Sequence, residues 1–184
     1  ELDAEITLQG PFDDLTLGVR VAATPLCLGA IAVDRGDAAF TLRGGVMTVE
    51  RAGVGVGAGR LEATGTLQLA DGALAAEVTG EALPFAHLLA MAGAELQVDG
   101  VLSLSGTVRG TLASPRAALR LAAAGIAVAG FPLGEGRAAL TVADSALDLA
   151  DVTIGPISGH AHLDLTAATA VVDATVEGLD VTPL

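Results

Sequence analysis

The sequence contains no lysine, tyrosine or tryptophan, only four phenylalanines and one cysteine. A single cysteine, Cys27, excludes a disulfide framework within the chain. No apolar run reaches the roughly 18 residues that a membrane-spanning helix needs, and the longest candidate, 121–134, is interrupted by Pro132 and glycines. The chain is nevertheless 52% hydrophobic, mainly through Ala, Val and Leu. Its apolar residues must therefore be spread over many short elements.

Positive charge is also scarce, since nine arginines face 22 acidic residues and the net charge is −13. This balance argues against nucleic-acid binding, which needs a basic surface to neutralise phosphates, and against docking on anionic lipid headgroups by charge. It indicates a solvated acidic exterior. The chain opens at Glu1 without a basic signal region. We therefore expect a segment excised from a larger protein, with any targeting or anchoring segment elsewhere.

Apolar and polar residues alternate with a period of two along most of the chain, for example in 15–21, 61–69, 102–110 and 172–178. This alternation is typical of antiparallel strands with one buried and one solvated face. It predicts about fourteen strands, which as a single stack would extend roughly 60–70 Å. A compact sandwich is the alternative packing for the same strands.

Turn signals separate the alternating runs at Gly44–Gly45, Asp71–Gly72 and Asp99–Gly100. One segment, Ala82 to Gly93, has helix-compatible apolar spacing, with Pro84 near its start and Gly93 as a stop signal. The sequence therefore predicts an all-β chain with one short helix.

An internal repeat relates the two halves of the chain. Residues 36–42 (GDAAFTL) match 136–142 (GRAALTV) without a gap, and the apolar phase continues through 47–55 and 147–155. The repeat preserves hydrophobic phase and glycine placement rather than polar chemistry, which favours an elongated array over a duplicated enzyme. We expect two β-units, 1–93 ending in the short helix and 94–184.

Three phrases of the sequence stand out: 106–115 (GTVRGTLASP), 176–184 (VEGLDVTPL) and 79–88 (TGEALPFAHL). The first resembles a recurring phrase of TamB-like proteins, and the other two resemble a closing phrase shared with AsmA relatives. The chain thus resembles the TamB-like and AsmA-like family of bacterial envelope proteins. The resemblance implies an elongated, curled antiparallel sheet, or β-taco, with an apolar concave interior. It also implies a protein that is anchored in the inner membrane and crosses the periplasm.

The function implied by this resemblance is the shielding and conduction of phospholipid acyl chains between the two membranes. The alternative is a scaffold or chaperone module for outer-membrane β-barrel assembly, acting by strand addition with a barrel partner of the TamA or BamA type. A passive β-solenoid stalk is a third hypothesis, and an isolated segment is open to self-association through its exposed groove.

An acyl-chain groove needs only continuous methyl and methylene groups, and burial stabilises each CH₂ by about 0.8 kcal/mol. The apolar positions of the alternating runs are the predicted groove lining: Leu17, Val19, Val21, Phe40, Leu42, Leu61, Leu67, Leu69, Leu102, Leu104, Val108, Leu140, Leu147, Leu149, Leu163, Leu165, Val172 and Val176.

Polar motifs give no reason to predict an enzyme, a cofactor or a metal. The glycine-rich run 53–59 (GVGVGAG) lacks the Lys-Ser/Thr of a phosphate loop and is followed by strand-type alternation. Ser158, His160, His162 and Asp164 alternate on one strand, so neighbours would stand about 6.5–7 Å apart, too far for a catalytic hydrogen bond. Two histidines are too few for a structural zinc site. A solvent-facing polar stripe is the expected arrangement.

Overall fold

The computed structural model describes residues 2–11, 15–24, 26–28, 31–91, 97–164, 166–167 and 169–177. These residues form fourteen strands and one helix: β1 (Leu2–Gln9), β2 (Thr16–Ala23), β3 (Leu26–Leu28), β4 (Ile31–Val33), β5 (Arg35–Arg43), β6 (Val46–Val56), β7 (Gly59–Gln68), β8 (Ala73–Pro84), α1 (Phe85–Met91), β9 (Val98–Thr111), β10 (Pro115–Val128), β11 (Phe131–Ala143), β12 (Ala146–Ile154), β13 (Ile157–Asp164) and β14 (Thr169–Val176).

Twelve of the strands form one antiparallel sheet that follows the chain order and is curled but not closed. β3 and β4 form a separate two-stranded hairpin between β2 and β5. The edges of the sheet are β1 and β14, and eleven interstrand spacings make it about 53 Å wide. The prediction of an elongated, curled all-β architecture with one short helix is therefore confirmed.

Most of the predicted strands and turns are found, with two local corrections. Asp99 and Gly100 lie within β9 rather than in a turn, and Gly100 (φ +119°) approaches the backbone of β10 so closely that a Cβ would lie 2.9 Å from the Ala124 carbonyl oxygen. The helix begins at Phe85, because 82–84 continue β8. The predicted stop at Gly93 lies outside the described residues.

The two sequence repeats occupy hairpins with the same register. Leu42 pairs with Met47 in the first hairpin, as Val142 pairs with Leu147 in the second. Gly44–Gly45 and Asp144–Ser145 connect the respective strands, and all four residues have positive φ, as type I′ hairpin turns require. The division into units 1–93 and 94–184 remains a prediction, since β8 and β9 pair directly across this boundary.

β-Bulges keep the apolar residues on one side of the sheet. In β6, an extra residue between Val49 and Ala52 changes which sequence positions face the apolar side. A bulge between Leu149 and Val152 does the same in β12. Without these insertions, the residues after each bulge would turn their apolar side chains to the opposite face.

Few side chains of this sheet are buried. Among the described residues, the buried hydrophobic side chains are Ala23, Val56, Leu83 and Ile126. The chain exposes 11997 Å², whereas a folded protein of 18.1 kDa typically exposes about 8,000 Å². The excess surface indicates a single layer whose apolar face does not close on a second sheet.

Candidate functional site

One face of the sheet carries an apolar row that crosses all twelve strands. We define row A as the register-paired residues that begin at Ile6 and end at Ala170. Every member is apolar or glycine, and none is buried. Row A consists of Ile6, Val19, Phe40, Val49, Gly65, Ala76, Val108, Ala117, Val142, Leu147, Leu163 and Ala170.

A second row runs beside it on the same face, two residues away along each strand outside the bulges. Row B also crosses all twelve strands without a polar side chain or a buried residue. Side chains in the two rows are about 6.5–7 Å apart along a strand, and neighbouring strands are about 4.8 Å apart. Together the rows form a continuous apolar track. Row B consists of Ala4, Val21, Ala38, Ala52, Ala63, Val78, Gly106, Leu119, Leu140, Leu149, Ala161 and Val172.

Most of the residues predicted to line a groove belong to this apolar face. Leu69 instead lies in the turn after β7 with 54% of its surface exposed, and Leu165 lies outside the described residues. The other predicted residues fall in row A (Val19, Phe40, Val108, Leu147, Leu163), row B (Val21, Leu140, Leu149, Val172) or the flanking apolar rows (Leu17, Leu42, Leu61, Leu67, Leu102, Leu104, Val176).

A concavity in this face lies over β5, β6 and β7. Ala38, Ala52 and Ala63 occupy adjacent positions of row B there, and they border a concavity of about 420 Å³ whose walls include Val54 and Leu61. Three small side chains in succession create this space. The concavity is open to solvent along one side, so a guest could enter it from the exposed face.

Sequence reasoning missed these alanines, and it also missed Val49 and Leu119. Alanine is weakly hydrophobic and carries little signal in an alternation pattern. In β6 the bulge changes the phase after Val49, so a strict period of two does not connect Val49 to Ala52. Leu119 was detectable, because Leu119 and Leu121 stand on either side of Arg120 in β10.

Helix α1 covers one margin of the apolar face. Its Leu88 packs against the buried pair Val56 and Leu83, together with Leu102 and Leu104 of β9. These contacts lie beyond rows A and B along the strands, so the described part of the helix leaves both rows uncovered. The helix therefore forms one wall of the groove rather than a lid over it.

Charged side chains lie on the opposite, polar face. Arg60 donates to Asp37 at 2.9 Å and to Glu62 at 2.5 Å, and Arg51 lies 3.0 Å from Asp37. The hydrogen bond to Glu62, followed by that to Asp37, raises the pKa of Arg60. Gly53 leaves room for this network, because a Cβ there would lie 2.6 Å from Arg60 Nη2.

The histidine stripe also lies on the polar face and is paired with carboxylates of neighbouring strands. His160 Nε2 is 3.0 Å from Asp173 Oδ2, and His162 Nδ1 is 2.5 Å from Asp148 Oδ1. The hydrogen bond that His162 donates to Asp148 raises the pKa of His162. Asp164 accepts backbone hydrogen bonds from Ala167 and Thr166, which lower its pKa.

Ser158, His160 and His162 are exposed and Asp164 is half-buried, which agrees with a solvent-facing stripe. Across the part of the chain that the structure describes, no three His, Cys, Asp or Glu side chains form a potential metal site. Within the same residues, no helix has the length and apolar character needed to cross a membrane.

Comparisons with protein-family models, curated proteins and solved structures find no match to this chain.

Proposed function

We propose that the apolar face binds and conducts phospholipid acyl chains. The observation that supports this function is the pair of uninterrupted rows, A and B, in which no residue is buried across twelve strands. A large exposed apolar surface is costly in water and in soluble proteins usually marks a binding site. An acyl chain gains about 0.8 kcal/mol for each CH₂ that it buries. The groove offers methyl and methylene groups without a charged side chain in either row.

The uniformity of the rows supports conduction rather than tight capture at one point. Rows A and B contain only Ala, Val, Leu, Ile, Phe and Gly, so a chain that slides across the strands exchanges similar contacts at each step. The concavity of about 420 Å³ beside Ala38, Ala52 and Ala63 offers space for part of an acyl chain. We further propose, with the TamB-like resemblance, that this happens in the periplasm between the inner and outer membranes.

A charge placed in row B tests this function. Leu140 belongs to row B, whereas its neighbour Thr141 faces the polar side. An ionised carboxylate against an acyl chain costs at least about 1–3 kcal/mol, so we expect Leu140→Asp to reduce the phospholipid bound after incubation with vesicles by about tenfold. Thr141→Asp adds the same charge on the other face and should leave binding unchanged. Equal lipid binding by both variants would contradict the proposal, provided circular dichroism shows both are folded.

A second candidate function, the scaffolding of outer-membrane barrel strands, is favoured by the free edges of the sheet. Every residue of β1 and of β14 is exposed, and an uncovered edge strand offers unpaired backbone groups to another chain. β14 also carries the exposed apolar residues Val171, Val172 and Val176. This function would depend on the edge rather than on the groove.

Reciprocal variants distinguish the two functions. Val171→Lys with Thr175→Lys places charges on the polar side of β14 and leaves rows A and B intact. If strand addition is the function, this double variant loses capture of an unfolded barrel-strand peptide, and Leu140→Asp retains it. If lipid conduction is the function, the double variant still binds phospholipid and Leu140→Asp does not.

A further inference from the structure

The polar face of β9, β10 and β11 concentrates positive charge in an otherwise acidic chain. Arg109, Arg116, Arg120 and Arg137 are all exposed there, and we call these four residues the arginine track. They represent four of the nine basic residues of a chain whose net charge is −13. No feature of the acyl-chain groove accounts for them, because they project from the opposite face of the sheet.

The register places the four arginines within four successive rows of the polar face. Arg109 is directly opposite Arg116, Arg120 lies two rows further along, and Arg137 lies one row beyond Arg120. With about 6.5–7 Å between rows, the track is about 20 Å long. In these four rows the polar-face residues of β9 and β10 other than arginine are Ser, Thr or Ala.

The track is incompletely neutralised by the protein itself. Within the described ranges, Arg109 and Arg120 form no ion pair, and Arg116 contacts Asp144 only at 3.4 Å. Arg137 donates to the hydroxyl of Thr153 at 3.2 Å rather than to a carboxylate. Like charges directly opposite each other on adjacent strands are destabilising. An anion between Arg109 and Arg116 would remove this repulsion.

The surroundings of the track indicate the shape of that anion. Glu77 on β8 and Asp148 on β12 lie in the row of Thr107 and Thr141 and border the track on both sides. They restrict the positive surface to a width of three strands, or about 10 Å. A flat anionic membrane would bring these carboxylates against its own charge, and a single phosphate would reach only part of the track.

We propose that the arginine track binds an extended, acidic polypeptide segment that runs along the strand direction. About six extended residues, at roughly 3.3 Å each, cover 20 Å. Guanidinium groups bind carboxylates through paired hydrogen bonds, and the shallow concavity of about 320 Å³ beside Arg120, lined by the hydroxyls of Ser105, Thr107 and Thr141, offers further donors to the peptide backbone. This proposal is independent of lipid binding.

The test uses the whole chain and a fluorophore-labelled hexaglutamate peptide, followed by anisotropy at 0.1 M salt, where the Debye length of about 10 Å screens distant carboxylates. We expect Arg109→Gln with Arg120→Gln to weaken binding about tenfold, since each exposed charge pair contributes up to about 1 kcal/mol. Arg20→Gln with Arg35→Gln removes the same charge elsewhere on the polar face and should preserve the affinity.

Three results would overturn the proposal: equal affinities of the two double variants, displacement of the peptide by inorganic phosphate at equal ionic strength, or tighter binding of phosphatidylglycerol vesicles than of the peptide through the same arginines. Thermal unfolding without peptide gives a second readout. Arg109→Gln relieves the repulsion from Arg116 and should unfold at the same or a higher temperature. A clearly lower unfolding temperature would show that Arg109 has a structural role and would also contradict the proposal.

Discussion

Small residues decide where neighbouring strands approach closely. Gly106, in row B, lies so near β10 that a Cβ would stand 2.8 Å from the Cα of Leu119 and still nearer the Ala118 carbonyl oxygen. Glycine there lets β9 and β10 approach closely. In the same row, Ala38, Ala52 and Ala63 leave the concavity open. The shape of the groove therefore depends on small residues, glycine and alanine, as much as on the larger apolar side chains.

Replacing Gly106 by alanine should destabilise the fold. The added methyl group overlaps the backbone of β10, and overpacking of this kind costs about 1–3 kcal/mol. Urea unfolding measures the loss. Gly55→Ala is the matched control, because a Cβ at Gly55 meets nothing nearer than 3.8 Å. Similar losses for both variants would show that the close approach at Gly106 does not limit stability.

His162 should titrate above its ordinary pKa of about 6.5. The hydrogen bond that the ring donates to Asp148 favours the protonated form of His162. Its stabilising effect is therefore fully present below the ordinary pKa and is lost as the pH rises through the raised pKa. Proton NMR of the imidazole ring, recorded as a function of pH, measures the midpoint of the His162 titration. Asp148→Asn should lower it, whereas Asp173→Asn, which removes the partner of His160, should leave it unchanged. A midpoint insensitive to Asp148→Asn would contradict this assignment.

At the scale of residues, alternation predicted part of the apolar face from leucines and valines, although it missed Val49 and Leu119. It predicted the shared face of Leu17, Val19 and Val21, which the register confirms. It placed Ala63 on the apolar face of its strand but predicted none of the row B alanines as groove lining, because alanine is common on both faces. The arginine track was also missed, because Arg109 and Arg120 come together only through the pairing of β9 with β10.

Helix α1 is held by a small apolar cluster. Leu83 is 2% exposed and contacts the region where Leu88 packs on the sheet. Leu83→Ala should cost about 2–5 kcal/mol of unfolding free energy, because it leaves a cavity. Leu8→Ala, at an edge position that is 63% exposed, should cost less than about 1 kcal/mol. Denaturant unfolding compares the two, and equal costs would exclude the cluster as the main anchor of the helix.

Turns and strands that are marked by a short stretch of sequence were predicted most reliably. The Gly44–Gly45 turn and the strands on either side of it follow directly from sequence. The boundary between β8 and α1 could not be predicted in this way, because the strand continues through a bulge at Ala82. The φ of Ala82, +50°, is unusual for alanine. The Asp144–Ser145 turn lacks glycine and was recognisable only through its equivalence to Gly44–Gly45.

At the scale of the whole molecule, sequence predicted an elongated β array but left a compact sandwich open. The decisive feature is the pairing of nearly every strand with its neighbour in sequence, which produces one sheet rather than two. Such pairing depends on register across many hairpins and is not encoded in any single strand. The consequence is one uncovered apolar face opposite one charged face.

The proposed function requires that the apolar face, and not the polar face, contacts acyl chains. Photo-crosslinking from adjacent residues on opposite faces tests it most directly, with probes at Leu67 and Gln68 on β7 and at Leu140 and Thr141 on β11. After exposure to phospholipid vesicles, mass spectrometry should find lipid adducts at Leu67 and Leu140 and none at Gln68 and Thr141. Equal labelling of both faces, or no labelling at either leucine, would contradict the account.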